Sequence, residues 1–187
     1  MYSHLTMTEL QAGLAELGTS PQDHGTLEMI VCRPDIEQRR VLERAELHPD
    51  QGLIGDNWRM RGNSRTEDGT ARPETQITLM NSRIIQLIAQ DRSRWPLAGD
   101  QLFVDLDLSV ENLHPGQRLA IGTAVLEITA QSHLGCDKFT ARYGHAAIRF
   151  INSPEGRQAR RRGIYARVIQ PGTVCVGDTV SKIDTDS

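Results

Sequence analysis

From Leu27 onward the chain is cut into short apolar stretches, each closed by Gly, Pro, Asn or Asp, and this rhythm admits few folds. Successive strand residues face opposite sides, so brief period-two stretches between turn residues are what a β-sandwich or barrel requires. The stretches are Leu27 to Cys32, Val41 to Leu47, Gln76 to Met80, Leu102 to Leu108, Arg118 to Ile121, Ala124 to Thr129, Gly163 to Ile169 and Thr179 to Ile183. Pro115-Gly116 and Pro171-Gly172 repeat one piece of turn chemistry, in which proline presets one dihedral and glycine permits positive φ. Each opens a turn, short strand, turn unit, and both units are expected in hairpins of a barrel. Cys175 alternates with Val174 and Val176 and so faces away from them, in a structural role.

Helical patterning interrupts the strands. Near the N-terminus Thr8 and Gln11 form a capping box, Leu10, Leu14 and Leu17 share a face, and Gly18 suits the C-terminal turn. Residues 1–24 therefore read as a helical extension to a β-rich domain spanning 25–187. Asn81 is placed to cap a helix whose Ile84, Ile85, Leu87 and Ile88 form a core stripe. A second helix follows Cys136, with Phe139, Tyr143, Ala147 and Phe150 on one face and Gly144 weakening its middle. In the third, Ser153 is the N-cap, Pro154 the first residue, and Gly156 to Arg162 the continuation.

Composition excludes several classes. Net charge is −3, carried against two lysines and nineteen arginines (21 cations less Lys138 and Lys182), so no global basic field argues for nucleic acid. No stretch approaches the roughly 18 apolar residues of a membrane span, and no basic region precedes an apolar core at the N-terminus. Cys32, Cys136 and Cys175 are odd in number and lack finger or CxxC spacing, which suits a reducing compartment, the cytoplasm.

Cys136 lies in His133-Leu134-Gly135-Cys136-Asp137-Lys138-Phe139, between a strand pattern and a helix pattern. A helix N-terminus and a neighbouring cation both favour thiolate, the form that attacks electrophiles and binds soft metals. Lys138 and His133 are candidates to supply that charge or to meet an anion. Against this stands the ordinary role of a free cysteine as a small buried hydrophobe. In the third helix Arg157, Arg160, Arg161 and Arg162 offer forks for phosphate or carboxylate. Arg157 is favoured because it lies near the helix start.

In order and spacing these pieces resemble the MOSC domain, the module at the C-terminus of molybdenum cofactor sulfurases and in small stand-alone bacterial proteins. The likeness runs over about residues 25 to 182. It is carried by Gly52-Leu53-Ile54-Gly55-Asp56, Gln76-Ile77-Thr78-Leu79-Met80-Asn81, Pro115-Gly116 with Arg118 to Gly122, Ala124 to Thr129 entering the Cys136 loop, Gly163 to Val168, and the closing Pro171-Gly172 and Gly177-Asp178. It implies a mainly β, barrel-like fold with a few helices. Cys136 matches the family cysteine that serves either as a molybdenum ligand or as a sulfur carrier, and Thr78 and Asn81 match positions that line the same pocket.

Where the cofactor is bound, the family's dithiolene pterin supplies two further sulfurs and the enzymes reduce N-hydroxylated compounds, whereas a persulfide on the cysteine would pass sulfur to a metal centre. Counting back from Pro115-Gly116 sets Asp100-Gln101-Leu102 at the family's Glu-Asn-Leu position, so Gln101 retains the amide. Relatives carry a histidine where Asn57-Trp58-Arg59 stands. Pyridoxal phosphate, which needs a lysine, is disfavoured: nothing around Lys182 resembles a cofactor segment. Neither iron–sulfur spacing nor a dinucleotide loop is present, so a reductase needs separate electron donors. A sulfur carrier would need a donor or acceptor protein. The competing reading is a non-catalytic barrel that binds a small anion or a protein partner.

Overall fold

The computed structural model describes residues 3–63 and 66–183. Its strands are β1 (Gly25–Cys32), β2 (Arg40–Leu42), β3 (Arg44–His48), β4 (Gly52–Leu53), β5 (Ile77–Asn81), β6 (Leu102–Asp105), β7 (Arg118–Ile121), β8 (Ala124–Ile128), β9 (Ile164–Gln170), β10 (Gly172–Cys175) and β11 (Thr179–Ile183). The helices are α1 (Met7–Glu16), α2 (Trp58–Arg61), α3 (Ser82–Ala89), α4 (Asp137–Asn152) and α5 (Pro154–Gln158).

Seven strands close into a barrel in the order β11-β7-β8-β9-β5-β6-β1, with β2 appended beside β1. Closure is the antiparallel pairing of β1 with β11, Gly25 opposite Val180 and Thr26 opposite Thr179. The one parallel pair is β5 with β6, Leu79 opposite Leu102. A parallel neighbour needs a crossover of a dozen or more residues, and here it carries α3 across the outside of the barrel.

Alternation along the strands divides the apolar residues into two layers. Leu27, Ile30, Ile77, Leu79, Leu102, Val104, Leu126 and Ala166 fill the barrel. Met29, Val31, Met80 and Phe103, on the same strands, face outward into a second layer with Ile85, Ile88, Trp95, Phe139, Tyr143 and Phe150. The two layers share their strands, so they are two sides of one wall. Leu10 of α1 is fully buried in the outer layer.

Several expectations are corrected. The N-terminal capping box is Thr6 with Glu9: Thr6 Oγ1 accepts from Glu9 N at 3.2 Å, and Glu9 Oε2 accepts from Thr6 N at 2.7 Å. A charged carboxylate is a stronger acceptor there than the amide of Gln11. The stretch Val41 to Leu47 is two strands, because after Glu43 the chain leaves the barrel for a three-stranded sheet of β10, β3 and β4. Pro171-Gly172 therefore leads into that sheet and not into a barrel hairpin. A Cβ on Gly172 would lie 2.4 Å from the Thr123 carbonyl carbon, so glycine is what lets the chain pass the β7–β8 turn. Pro115-Gly116 does lead into a barrel strand, β7. The strand from Leu102 stops at Asp105, and α5 stops at Gln158. Asn81 caps α3 as expected, its Oδ1 accepting from Ile84 N at 3.0 Å. Gly144, at φ 90°, breaks α4 into two segments.

Candidate functional site: an arginine-lined cleft beside Cys136

Outward-facing positions of the barrel wall change character along its length. Met80, Phe103 and Val31 are covered by helices, whereas Thr78, Tyr165 and Arg33 border a cleft of about 860 Å³. The segment 131–136 and the start of α4 form another wall, and Trp58, 4% exposed, packs into the cleft from α2. Its volume falls in the upper part of the roughly 300–1,000 Å³ range typical of ligand and cofactor sites.

Arg33, Arg39, Arg61, Arg72, Arg142 and Arg162 all line this cleft with Lys138, and among the described residues no Asp or Glu does. The acids lie behind. Asp56, its side chain fully buried, takes Arg33 in a two-pronged pair, Nε to Oδ2 at 2.8 Å and Nη2 to Oδ1 at 2.9 Å. It also accepts from the backbone N–H groups of Arg33 and Trp58, both at 2.9 Å, which fixes α2 against the end of β1. Asp100, also fully buried, accepts from Arg162 Nη1 at 2.6 Å. Glu37 holds Lys138 at 2.5 Å and also pairs with Arg142 at the rim.

The cations press on one another. Burial, then Arg142 and Arg33, push Arg39 below the ordinary guanidinium value, and its Nε is buried without a partner. Desolvation, then Arg33, lower Arg61 as well. Asp56 and, for Arg39, Glu37 offset part of this, and a bound anion would relieve the rest.

Cys136 is the exposed one of three free thiols and lines the cleft. It occupies the N-cap position of α4 but makes no side-chain cap bond, and its carbonyl accepts from Thr140 N. Cys32 is buried in the barrel core, where burial pushes its thiol up, and Cys175 is half-buried in β10.

The other sequence candidates separate. Lys138 lines the cleft two residues from Cys136, held by Glu37. His133 lines it as well, its side chain 7% exposed and its ring 4.3 Å from that of Tyr165. Burial first, then Arg162 and Arg33, hold its pKa well below the usual imidazole value. The ring is therefore neutral at pH 7, and positive charge beside Cys136 comes from lysine and arginine instead. His133 Nδ1 and Asp100 Oδ1 lie 3.6 Å apart, too far for a hydrogen bond, and neither has another partner. Burial raises the Asp100 pKa against the pull of Arg162.

Thr78 borders the cleft, while Gln101 is fully buried beneath it. The Gln101 Oε1 atom accepts from Thr78 N at 2.9 Å and Oγ1 at 3.0 Å, so the amide pins β5 to the start of β6. Asn81 lies away from the cleft, its Nδ2 donating to Ser20 Oγ and the Leu106 carbonyl. Arg157 does not converge with Cys136 either: it lines a smaller cavity on the other side of the 131–134 segment. Its neighbour Arg162 is the arginine of that helical run which reaches the cleft, carried there because α5 ends at Gln158 and Arg160 turns the chain at φ 46°. Of the cleft arginines, only Arg162 belonged to a sequence cluster. The rest are scattered, and the one hint was the ratio of nineteen arginines to two lysines.

No curated protein matches the sequence closely enough to be a relative. Solved structures do share the fold. The YuaD protein from Bacillus subtilis is 16% identical with a TM-score of 0.64, covering 87% of this chain and 97% of its own. YiiM from Escherichia coli is 15% identical with a TM-score of 0.55, covering 87% and 71% respectively. YiiM from Geobacillus stearothermophilus is 13% identical with a TM-score of 0.53, over 88% and 75%. The MOSC domain model matches residues 66–181, which include the Cys136 loop, Arg142 and Arg162 of the cleft and most of the barrel, and on this the chain belongs to the MOSC domain family.

Proposed function

We propose that the chain binds molybdenum cofactor in the arginine-lined cleft, with Cys136 as the protein's sulfur ligand to the metal. The observation that carries this reading is the cleft itself: a cofactor-sized space with an exposed thiol at its edge, walled by six arginines and a lysine with no acid among its described lining.

The residues fit such a group. Among the described residues no three His, Cys, Asp or Glu side chains come together to hold a metal, so a metal at Cys136 must arrive with most of its ligands. A dithiolene pterin brings two sulfurs of its own, and thiolate is a matching soft donor. The pterin's phosphate is a natural partner for guanidinium forks, which bind it in bidentate fashion. When bound, the cofactor supplies a redox centre suited to reducing N-hydroxylated compounds, with electrons from separate donor proteins.

The chain's own contributions follow from the geometry. Cys136 anchors the group at the start of α4. Arg39 and Arg61, the most crowded cations, gain most from a bound anion. Neutral His133 offers a hydrogen bond without adding charge. Tyr165, half-buried with His133 against its ring, supplies an aromatic wall for a ring system, and Trp58 backs the site from beneath.

Exposure of Cys136 also favours a second reading, in which the thiol carries a persulfide presented to a partner protein. One experiment separates the two. The protein is purified from a host that makes the cofactor, and from the same host as Cys136→Ser, then analysed for bound pterin and by intact mass. Pterin in the wild type and not in the mutant supports the cofactor reading, and a labile sulfur adduct confined to wild type supports the carrier. Neither one, even after incubation with cofactor or a sulfur donor, would leave a non-catalytic anion-binding barrel as the better account.

A further inference from the structure

The geometry points to a second, separate ligand site for a short-chain organic carboxylate in the cavity behind the 131–134 segment. This cavity is about 230 Å³, below the roughly 300 Å³ at which drug-sized sites begin, so it suits a small molecule. It lies between the turn after β8, the start of β9 and the α4–α5 junction, with Val110 on the remaining side. The cavity shares residues 131–134 and Arg162 with the cleft wall, whereas Arg157, Arg160, Val110 and Ile151 line the cavity and not the cleft.

Three arginines line it, Arg157, Arg160 and Arg162, and among its described lining residues there is no acid. Some arginines of this chain lie against carboxylates, as Arg83 does with Asp105 and Arg167 with Glu127. Arg157 and Arg160 do not. Arg157 Nε donates to the Asn152 carbonyl at 3.0 Å, and Arg160 Nη1 to the Leu113 carbonyl at 2.7 Å, contacts that hold the guanidiniums in place without neutralising them. Arg162, 7% exposed, is already paired with Asp100 through Nη1 and with the Ala98 carbonyl through Nη2, and its buried Nε is left without a partner. Buried donors without partners are rare in folded proteins and mark places where something else binds.

The rest of the lining decides the class of anion. Val110, Leu134 and the edge of Ile151 give an apolar side that an inorganic oxyanion would not use but a short hydrocarbon tail would. A carboxylate head against the guanidiniums, with its tail among these residues, satisfies both halves.

The test is calorimetric titration of the intact protein with butyrate and, separately, with sulfate. Saturable butyrate binding at one site is expected, weakened about tenfold by Arg157→Gln through loss of a charge-assisted contact. Val110→Phe, which fills the apolar side, should weaken it at least as much. Arg61→Gln in the cleft should leave it unchanged. If Val110→Phe fails to fold by circular dichroism, Arg157→Gln, whose side chain is exposed, still decides the matter. Absence of saturable binding would overturn the proposal. So would butyrate binding lost in Arg61→Gln and retained in Arg157→Gln, which places the anion in the cleft, and so would sulfate binding as tightly as butyrate.

Discussion

Asp56→Asn probes how the cleft is built. Asp56 has no exposed side-chain surface and accepts four hydrogen bonds, two from the Arg33 guanidinium and two from the backbone N–H groups of Arg33 and Trp58, all between 2.8 and 2.9 Å. The amide has one acceptor in place of two and turns an N–H toward donors. It also leaves Arg33, 8% exposed, with no charged partner, held by the remaining amide oxygen and the Gly99 carbonyl. Breaking a buried ion pair from one side costs about 3–5 kcal/mol, because the survivor is a buried charge without compensation. In a protein of this length 1 kcal/mol shifts the melting temperature by roughly 2–4 °C, so the loss should be roughly 6–20 °C. The assay is urea unfolding at pH 7 with thermal melts in parallel. Adding Arg33→Met to Asp56→Asn should recover much of the loss, since it removes the guanidinium that the single mutant leaves buried and uncompensated. A single-mutant cost below about 1 kcal/mol, or a double mutant as unstable as the sum of the singles, would refute this reasoning.

His133 is held neutral by burial, its folded pKa below that of the unfolded chain, so the unfolded state binds more protons as pH falls through the ordinary imidazole range and stability drops. His133→Gln should flatten the fall in melting temperature between pH 7.5 and pH 5, a window set by the ordinary imidazole pKa of 6.5. An unchanged slope would contradict the assignment. At the cleft, the crowded cations should make Cys136 react faster with iodoacetate, relative to neutral iodoacetamide, than Cys175 does, and this preference should collapse near 1 M salt, where screening acts within about 3 Å. Glu37→Gln frees Lys138 and Arg142 and should increase the preference while leaving stability nearly unchanged, because Glu37 is exposed. Gln101→Leu should cost about 1–3 kcal/mol in urea unfolding, since Thr78 N and Oγ1 lose their shared buried acceptor.

The barrel was legible because its signals are local: alternation, Pro-Gly turns and the Asn81 cap are written in adjacent residues. Where expectation failed, a tertiary effect outweighed a local one. Val41 to Leu47 contains no turn residue, yet the pairing of β3 with β10 shows that the strand changes sheets at Glu43. The Cys136 loop was placed correctly between strand and helix, and its exposure agrees with a thiol that partners can reach. The cation wall around it was not legible. Arg33, Arg39, Arg61, Arg72 and Arg142 come from four separate regions of the chain, and the net charge of −3 averages them away. Arg157 looked favourable by position in its helix, but a single-turn geometry, with the reversal at Arg160, sends Arg162 to the cleft and leaves Arg157 behind it.

The most direct test of the cofactor reading is the molybdenum content per chain of protein purified from a cofactor-producing host, measured by elemental analysis for wild type, Cys136→Ser and a cleft variant lacking both Arg39 and Arg61. On the cofactor reading, near-stoichiometric metal is expected in the wild type, little or none in Cys136→Ser, and a reduced level in the arginine variant while all three remain folded. Equal molybdenum in wild type and Cys136→Ser, or none in any of them after incubation with the cofactor, would contradict it.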